Sequence, residues 1–264
     1  MSPHQDHSSG VRLGGMDSHA YQEWVRTEKT CVFVPVGAHE QHGPHLPMGT
    51  DALLSTAIAE SVAEGVRAKV APTFAYGYKS QQRSGGGDHI PGTVSLDAQT
   101  LINLTRTVVG ELLAQGVQNV VLVNGHYENY QFLYEGVDLA LADLGPQKST
   151  DRAVLLLSYW DYVSDATLSK VYPDGFPGWE VEHGGVLETS LMLYLRPDLV
   201  RMDRAQNHPA AEFPRFDRLP VVADRTPASG CLSSPAGADT TKGELLFEQV
   251  VEELSSDISS ELEL

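Results

Sequence analysis

The sequence predicts an α/β domain: one three-layer unit whose mostly parallel sheet is flanked by helices. Three observations predict it. Candidate strands at Cys31 to Val36, Asn119 to Val123 and Ala153 to Tyr159 are near-continuous apolar runs, without the polar alternation of a sheet wetted on one face. Stretches with helical spacing of apolar residues separate them. Residues rich in His, Glu and Asp follow the strand ends, where open parallel sheets collect their ligands.

Taken in order, residues 1–12 are polar, lack the apolar centre of a signal peptide and are expected to be a frayed tail in which His4 and His7 are bystanders. The domain proper is expected over 13–264. Asp17 to Lys29 is predicted as a helix capped by Asp17 or Ser18, with Tyr21, Trp24 and Val25 on one face. Cys31 to Val36 is the first buried strand. Ala52 to Ala68 carries Leu54, Ile58, Val62 and Val66 at helical spacing, and Lys69 to Phe74 reads as a strand. A glycine-rich loop spans Tyr76 to Thr93, too long for a simple connector. Asp97 caps a helix to Gln115 that Gly116 stops, the Asn119 to Val123 strand follows, and Tyr130 to Leu144 is helical up to Gly145-Pro146. After the strand at Ala153, irregular chain is expected until a helix at Gly184 to Leu195. Asn207 to Asp239, rich in Pro and Asp, is expected to be loop, and Lys242 to Leu262 an acidic helix. No internal repeat or clean domain boundary is visible.

At 264 residues the chain can bury a substantial core without covalent staples. Hydrophobic residues make up 41%, and no apolar run approaches a membrane span. A net charge of −17 argues against nucleic acid or an anionic membrane as partner, since both need basic surfaces. Only two cysteines occur, Cys31 in a predicted strand and Cys231 in a loop, which fits a reducing cytoplasm rather than a disulfide framework.

The candidate site starts at HEQHGPHLPMGTD, residues His39 to Asp51. Glu40 and His42 are two apart, so in extended backbone they share a face. Gly43, Pro44 and Pro47 exclude a helix there. NGHYEN repeats the arrangement in reverse, with His126 and Glu128 after the next strand. Two His and two carboxylates would thus meet at neighbouring strand ends, and Asp51 adds a short carboxylate able to bridge two cations. Glu40, Asp51 and Glu128 carry three negative charges, which two divalent ions and one bridging hydroxide would balance. One metal, with the remaining groups around it, is the simpler alternative. A further cluster, WEVEHGGVLE, offers Trp179, Glu180, Glu182, His183 and Glu188. His183 there suits an acid/base role, and the bland reading places Glu188 on a solvated helix face. His45 and His39 are weaker candidates.

These residues resemble the creatininase family of metal-dependent amidohydrolases. Its signature is similar to EQHGPHLPMGTD at Glu40 to Asp51, NGH at Asn124 to His126 and HGG-x-x-ET at His183 to Thr189. Longer segments, including YGYKSQQRSGGGDHIPGT and LSYWDYV, extend the resemblance over nearly the whole chain except the first dozen residues and part of the late loop. The resemblance implies a Rossmann-like domain, assembled as a homohexamer, that reversibly hydrolyses creatinine to creatine. It implies Glu40, Asp51 and His126 around a first metal, manganese or zinc, and His42, Asp51 and Glu128 around a second, zinc. It further implies Ser84, Tyr127, Trp160, Trp179 and Glu180 against substrate, and Glu182 with His183 as the acid/base pair. Glu180 departs from the family's aspartate by one methylene. Rival expectations are a family hydrolase acting on another small cyclic amide, formamide or sugar lactone, and a non-catalytic metal- or ligand-binding protein. A closed structural zinc site would call for cysteines, and the cluster has none.

Overall fold

The computed structural model describes residues 10–145 and 151–264. His4, His7 and Pro146 fall outside them. Four parallel strands form one sheet in the order β2-β1-β3-β4: β1 Cys31–Val36, β2 Lys69–Val70, β3 Asn119–Asn124 and β4 Ala153–Ser158. Seven α-helices are described: α1 Ser18–Trp24, α2 Thr50–Gly65, α3 Ala98–Ala114, α4 Tyr130–Leu144, α5 Asp165–Val171, α6 Val186–Leu195 and α7 Thr240–Leu262.

Successive strand side chains leave opposite faces of the sheet, and the core divides accordingly. Phe33, Val121 and Val123 pack with Leu54 and Ile58 of α2, Leu191 of α6 and Leu246 and Val250 of α7. Val32, Val34, Val120 and Leu122 pack with Leu101 and Val109 of α3 and Leu133 of α4. Each of these side chains is nearly or fully buried, which stabilises the fold by roughly 1.5–3 kcal/mol apiece. Burial on both faces is why the strand sequences do not alternate. Among the described residues, no helix is long and apolar enough to cross a membrane.

Several boundaries move for local reasons. Gly10 to Arg12, expected in the tail, run beside β2: Val70 N–H donates to the Val11 carbonyl at 2.8 Å. α1 keeps its Asp17 cap, which accepts from His19 and Ala20 N–H at 2.9 Å each, but stops at Trp24, whose carbonyl is taken by the Thr27 hydroxyl at 2.7 Å. β2 is shorter than predicted because Pro72 has no N–H to give a ladder. The backbone still follows β1, with Ala71 N–H on the Phe33 carbonyl at 2.8 Å and Phe74 N–H on the Pro35 carbonyl at 3.0 Å. α2 begins at Thr50, so Asp51 lies inside its first turn rather than before it, where the helix dipole favours an anion. α5 interrupts chain expected to be irregular. It is capped by the Ser164 hydroxyl, which accepts from Thr167 N–H at 3.2 Å, and it buries Thr167, Leu168 and Val171. Gly116 ends α3 at φ +111°, and Gly145 ends α4 at φ +80°.

Candidate metal centre and active site

Val36, Asn124 and Ser158 are in register, so β1, β3 and β4 end level with one another. The turn after β3 is held by the Asn124 amide. Its Nδ2 donates to the His126 carbonyl at 2.8 Å, and its Oδ1 accepts from His126 N–H at 3.1 Å. Gly125 lets this turn press against the start of α2. A Cβ there would stand 2.7 Å from the Asp51 carbonyl oxygen. His126 and Asp51 thereby reach one another.

Backbone carbonyls set the tautomers of both histidines. A carbonyl only accepts, so the ring nitrogen facing it carries the proton. His42 donates from Nδ1 to the Glu40 carbonyl at 3.3 Å, leaving Nε2 bare. That Nε2 lies 2.8 Å from Asp51 Oδ1, 3.5 Å from Glu188 Oε1 and 4.0 Å from Glu40 Oε1. His126 donates from Nε2 to the Tyr78 carbonyl at 3.0 Å, leaving Nδ1 bare. That Nδ1 lies 3.0 Å from Glu40 Oε1 and 3.2 Å from Asp51 Oδ2. Bare nitrogens aimed at carboxylate oxygens repel unless a positive charge lies between them. Glu40 Oε2, His42 Nε2 and Asp51 Oδ2 are buried with no hydrogen-bond partner. Burial alone lowers the His42 and His126 pKa values, yet Asp51 and Glu188 around the first, and Glu40 and Glu128 around the second, hold both well above the usual range, so a proton takes the place at each such nitrogen that a metal cation would otherwise fill. The donor set of carboxylate oxygens and imidazoles therefore fits divalent cations.

Three groups of side chains have ligand atoms close enough to share an ion: Glu40, Asp51 and His126; His42, Asp51 and Glu188; and Glu40, His42 and His183. The first matches the expected set. The second differs, since Glu188, not Glu128, is the carboxylate beside His42. Glu128 lies on the far side of His126, with Oε2 3.3 Å from its Nε2. It is pinned there by the Ser84 hydroxyl at 2.6 Å and Gln81 N–H at 2.9 Å, both on Oε1. Asp51 belongs to both of the first two groups, as a bridge would.

Glu182 and His183 are buried in the lining of the same pocket. His183 donates from Nε2 to the Gln41 carbonyl at 2.7 Å, which leaves Nδ1 bare, 3.7 Å from Glu40 Oε1. Glu182 is buried, accepts from Leu187 N–H at 2.6 Å and takes the Ser233 hydroxyl at 2.9 Å. Burial, then the neighbouring charge of Glu188, pushes its carboxyl up to about 7. Trp160 stacks on Tyr127 with centroids 6.2 Å apart and planes at 23°. Trp179 packs edge-on against Phe176 at 4.7 Å. Ser84, Tyr127, Trp160 and Trp179 line one pocket with Glu40, Asp51, His126, Glu128, Glu182, His183 and Glu188. Glu180 does not line it. Its side chain is 69% exposed and 3.9 Å from Arg83. Of the weaker candidates, His45 is buried behind the site, its Nε2 2.9 Å from the Thr189 hydroxyl, and His39 lies against Tyr76.

A family model described as creatininase, creatinine amidohydrolase, matches residues 15–258. The chain belongs to the creatininase family. It is 49% identical over 255 residues to the creatinine amidohydrolase of Pseudomonas putida, covering 96% of this chain and 98% of that one. It is 34% identical to a mycofactocin precursor peptide peptidase of Mycolicibacterium smegmatis, over 83% of this chain and 81% of that one. Among solved structures, "Creatininase Mn" superposes with a TM-score of 0.94 at 48% identity, covering 96% of this chain and 99% of that one. A mutant creatininase complexed with creatine superposes at 0.93, with the same identity and coverage. The chain is thus a hydrolase of the creatininase family, and its grouped ligands support divalent metal ions.

Several residues of this creatininase site carry no sequence assignment. Gln41 holds the loop together: its Nε2 donates to the Gly230 carbonyl at 2.9 Å and its Oε1 accepts from Gly43 N–H at 3.0 Å. Ser233 comes from the Pro-rich segment that shows no periodicity. Glu188, named in the WEVEHGGVLE cluster but given no ligand role, had a usable signal, because α6 offers no basic residue one turn away to pair with a carboxylate.

Proposed function

We propose that this chain hydrolyses the ring amide of creatinine to creatine and catalyses the reverse closure. The observation carrying the reading is one pocket lined by Glu40, Asp51, His126 and Glu188, members of two imidazole–carboxylate groups that share Asp51, together with Trp160 and Trp179. Identity of 49% to a creatinine amidohydrolase over 96% of the chain supports the substrate.

Glu40, Asp51 and His126 would hold one divalent ion, and His42, Asp51 and Glu188 a second. Glu40, Asp51, Glu128 and Glu188 carry four buried negative charges, which two divalent ions balance. The expected pair is zinc with manganese or zinc. Bound there, such ions would acidify a water and polarise the substrate carbonyl. The remaining work belongs to the chain. Trp160 and Trp179 flank a flat ring and exclude water. Glu128, fixed by Ser84 and Gln81, presents Oε2 as an acceptor for a substrate N–H. His183 offers its bare Nδ1 to carry a proton between the attacking water and the departing ring nitrogen. Glu182, raised to about 7, can hold or release that proton near neutral pH. A cytoplasmic homohexamer is part of the proposal.

The test is creatinine turnover by metal-loaded protein, followed as creatine formed, before and after chelation. Expected is turnover that chelator abolishes and that zinc or manganese restores. Metal-replete protein that binds two ions per chain yet leaves creatinine intact would overturn the substrate.

A further inference from the structure

A second cavity, of about 400 Å3, lies beside the active site. That is within the ~300–1,000 Å3 of small-ligand pockets. Its lining comes from residues 78–89 and 213–225 and shares no residue with the active-site pocket. Tyr78, Phe213 and Phe216 supply ring surface, and Phe216 is 62% exposed. Leu219 of the same lining is 84% exposed, and exposed apolar side chains gathered in one cavity mark a ligand-binding groove where a lone one would not.

The charge of this lining opposes that of the chain. Lys79, Arg83, Arg218 and Arg225 contribute four positive charges, and Asp88 and Asp217 two negative ones. The balance of +2 sits in a chain of net charge −17. Asp88 Oδ1 is taken by Ser80 N–H at 3.0 Å and the Ser95 hydroxyl at 2.7 Å, while Arg83 is ion-paired at 3.9 Å with both Asp217 and, from outside the lining, Glu180. Arg218 and Arg225 have no side-chain hydrogen bond or ion pair among the described residues. The Nε of Arg83 is buried and lacks a hydrogen-bond partner.

We propose that this cavity binds a small organic anion, a carboxylate carried on a flat ring. The ring lies against Phe213 and Phe216, and the carboxylate is taken by the guanidinium groups of Arg218 and Arg225, whose planar forks match it two bonds at a time. Arg83 adds charge from the opposite segment. The site is separate from the catalytic pocket and does not depend on the reaction assigned to it.

The test uses full-length, metal-loaded protein titrated calorimetrically with benzoate, benzylamine and inorganic phosphate. Expected is one benzoate per chain, with no comparable binding of benzylamine (the same ring with the opposite charge) and at least tenfold weaker binding of phosphate. The Arg218→Gln/Arg225→Gln double variant and Phe216→Ala should each weaken benzoate at least tenfold. These side chains are exposed, so melting temperature and creatinine turnover should stay unchanged. Benzoate that fails to saturate at millimolar concentration, or binds both variants as tightly as wild type, overturns the proposal. Equal affinity for phosphate overturns the ring requirement.

Discussion

Glu188 Oε1 on α6 stands 3.5 Å from His42 Nε2 on the loop after β1, with Asp51 Oδ1 2.8 Å from the same nitrogen. Three side chains from separate elements thus face one point. The first prediction separates the two carboxylates that could complete this group. Glu188→Gln should lower metal content toward one ion per chain and reduce kcat/KM by about 10–100-fold or more, the range seen when a metal's surroundings are disturbed. Glu128→Gln should keep both ions and lose turnover. Elemental analysis of the dialysed variants, beside their kinetics, decides between them. Loss of an ion on changing Glu128 alone would reverse the assignment.

Gly125 supplies the second prediction. A methyl group there meets the Asp51 carbonyl at 2.7 Å and Ser55 Cβ at 3.1 Å. Both neighbours belong to α2, whose inner face is buried, so neither can retreat freely. Gly125→Ala should destabilise by about 1–3 kcal/mol, the range of core overpacking. It should also weaken metal binding by parting His126 from Asp51. Urea denaturation and metal titration measure the two effects; a variant with wild-type midpoint would contradict the close approach.

Trp160 supplies the third. It stacks on Tyr127 and lines the same pocket as Trp179. Trp160→Ala removes the ring face but no metal ligand. KM for creatinine should rise and kcat fall, together costing at least tenfold in kcat/KM, while metal content stays full. Trp160→Phe should recover part of the loss, because an aromatic face returns.

The two thiols supply the fourth. Cys31 is 2% exposed and burial pushes its pKa up to about 12, while Cys231 is 1% exposed and is pushed, chiefly by burial, up to about 11. The thiolate is the reactive form, and at pH 8 both groups remain almost wholly protonated. A thiol reagent should modify neither in the native protein at pH 8, and both at once after unfolding. Rapid labelling of the native chain would show that one is accessible.

The strands and the grouping of Glu40, Asp51 and His126 were legible because their information is local. β1 and β3 are unbroken apolar runs, Glu40 and His126 follow them closely, and Asp51 stands in the first turn of the helix after β1. Glu188 was harder to place. Residues Val186 through Met192 are all buried, so α6 shows no polar stripe to mark a solvated face and no apolar one to mark the core. Ser233 and Gly230 were out of reach altogether. They serve the site through single long-range bonds, the Ser233 hydroxyl on Glu182 at 2.9 Å and Gln41 Nε2 on the Gly230 carbonyl at 2.9 Å, and no periodicity records such a bond. Glu180 is the reverse case. It sits one residue from Trp179 in sequence, yet its side chain points to Arg83 and solvent.

The level ending of β1, β3 and β4 bears on how such a protein can change over generations. Side-chain substitutions on the flanking helices are absorbed by repacking. A single residue inserted into or deleted from β3 is another matter: it would move His126 by roughly 3.3 Å along the sheet and turn the strand's inward and outward faces over. Length variation should therefore gather in the outer connections, while β1, β3 and β4 keep a constant residue count.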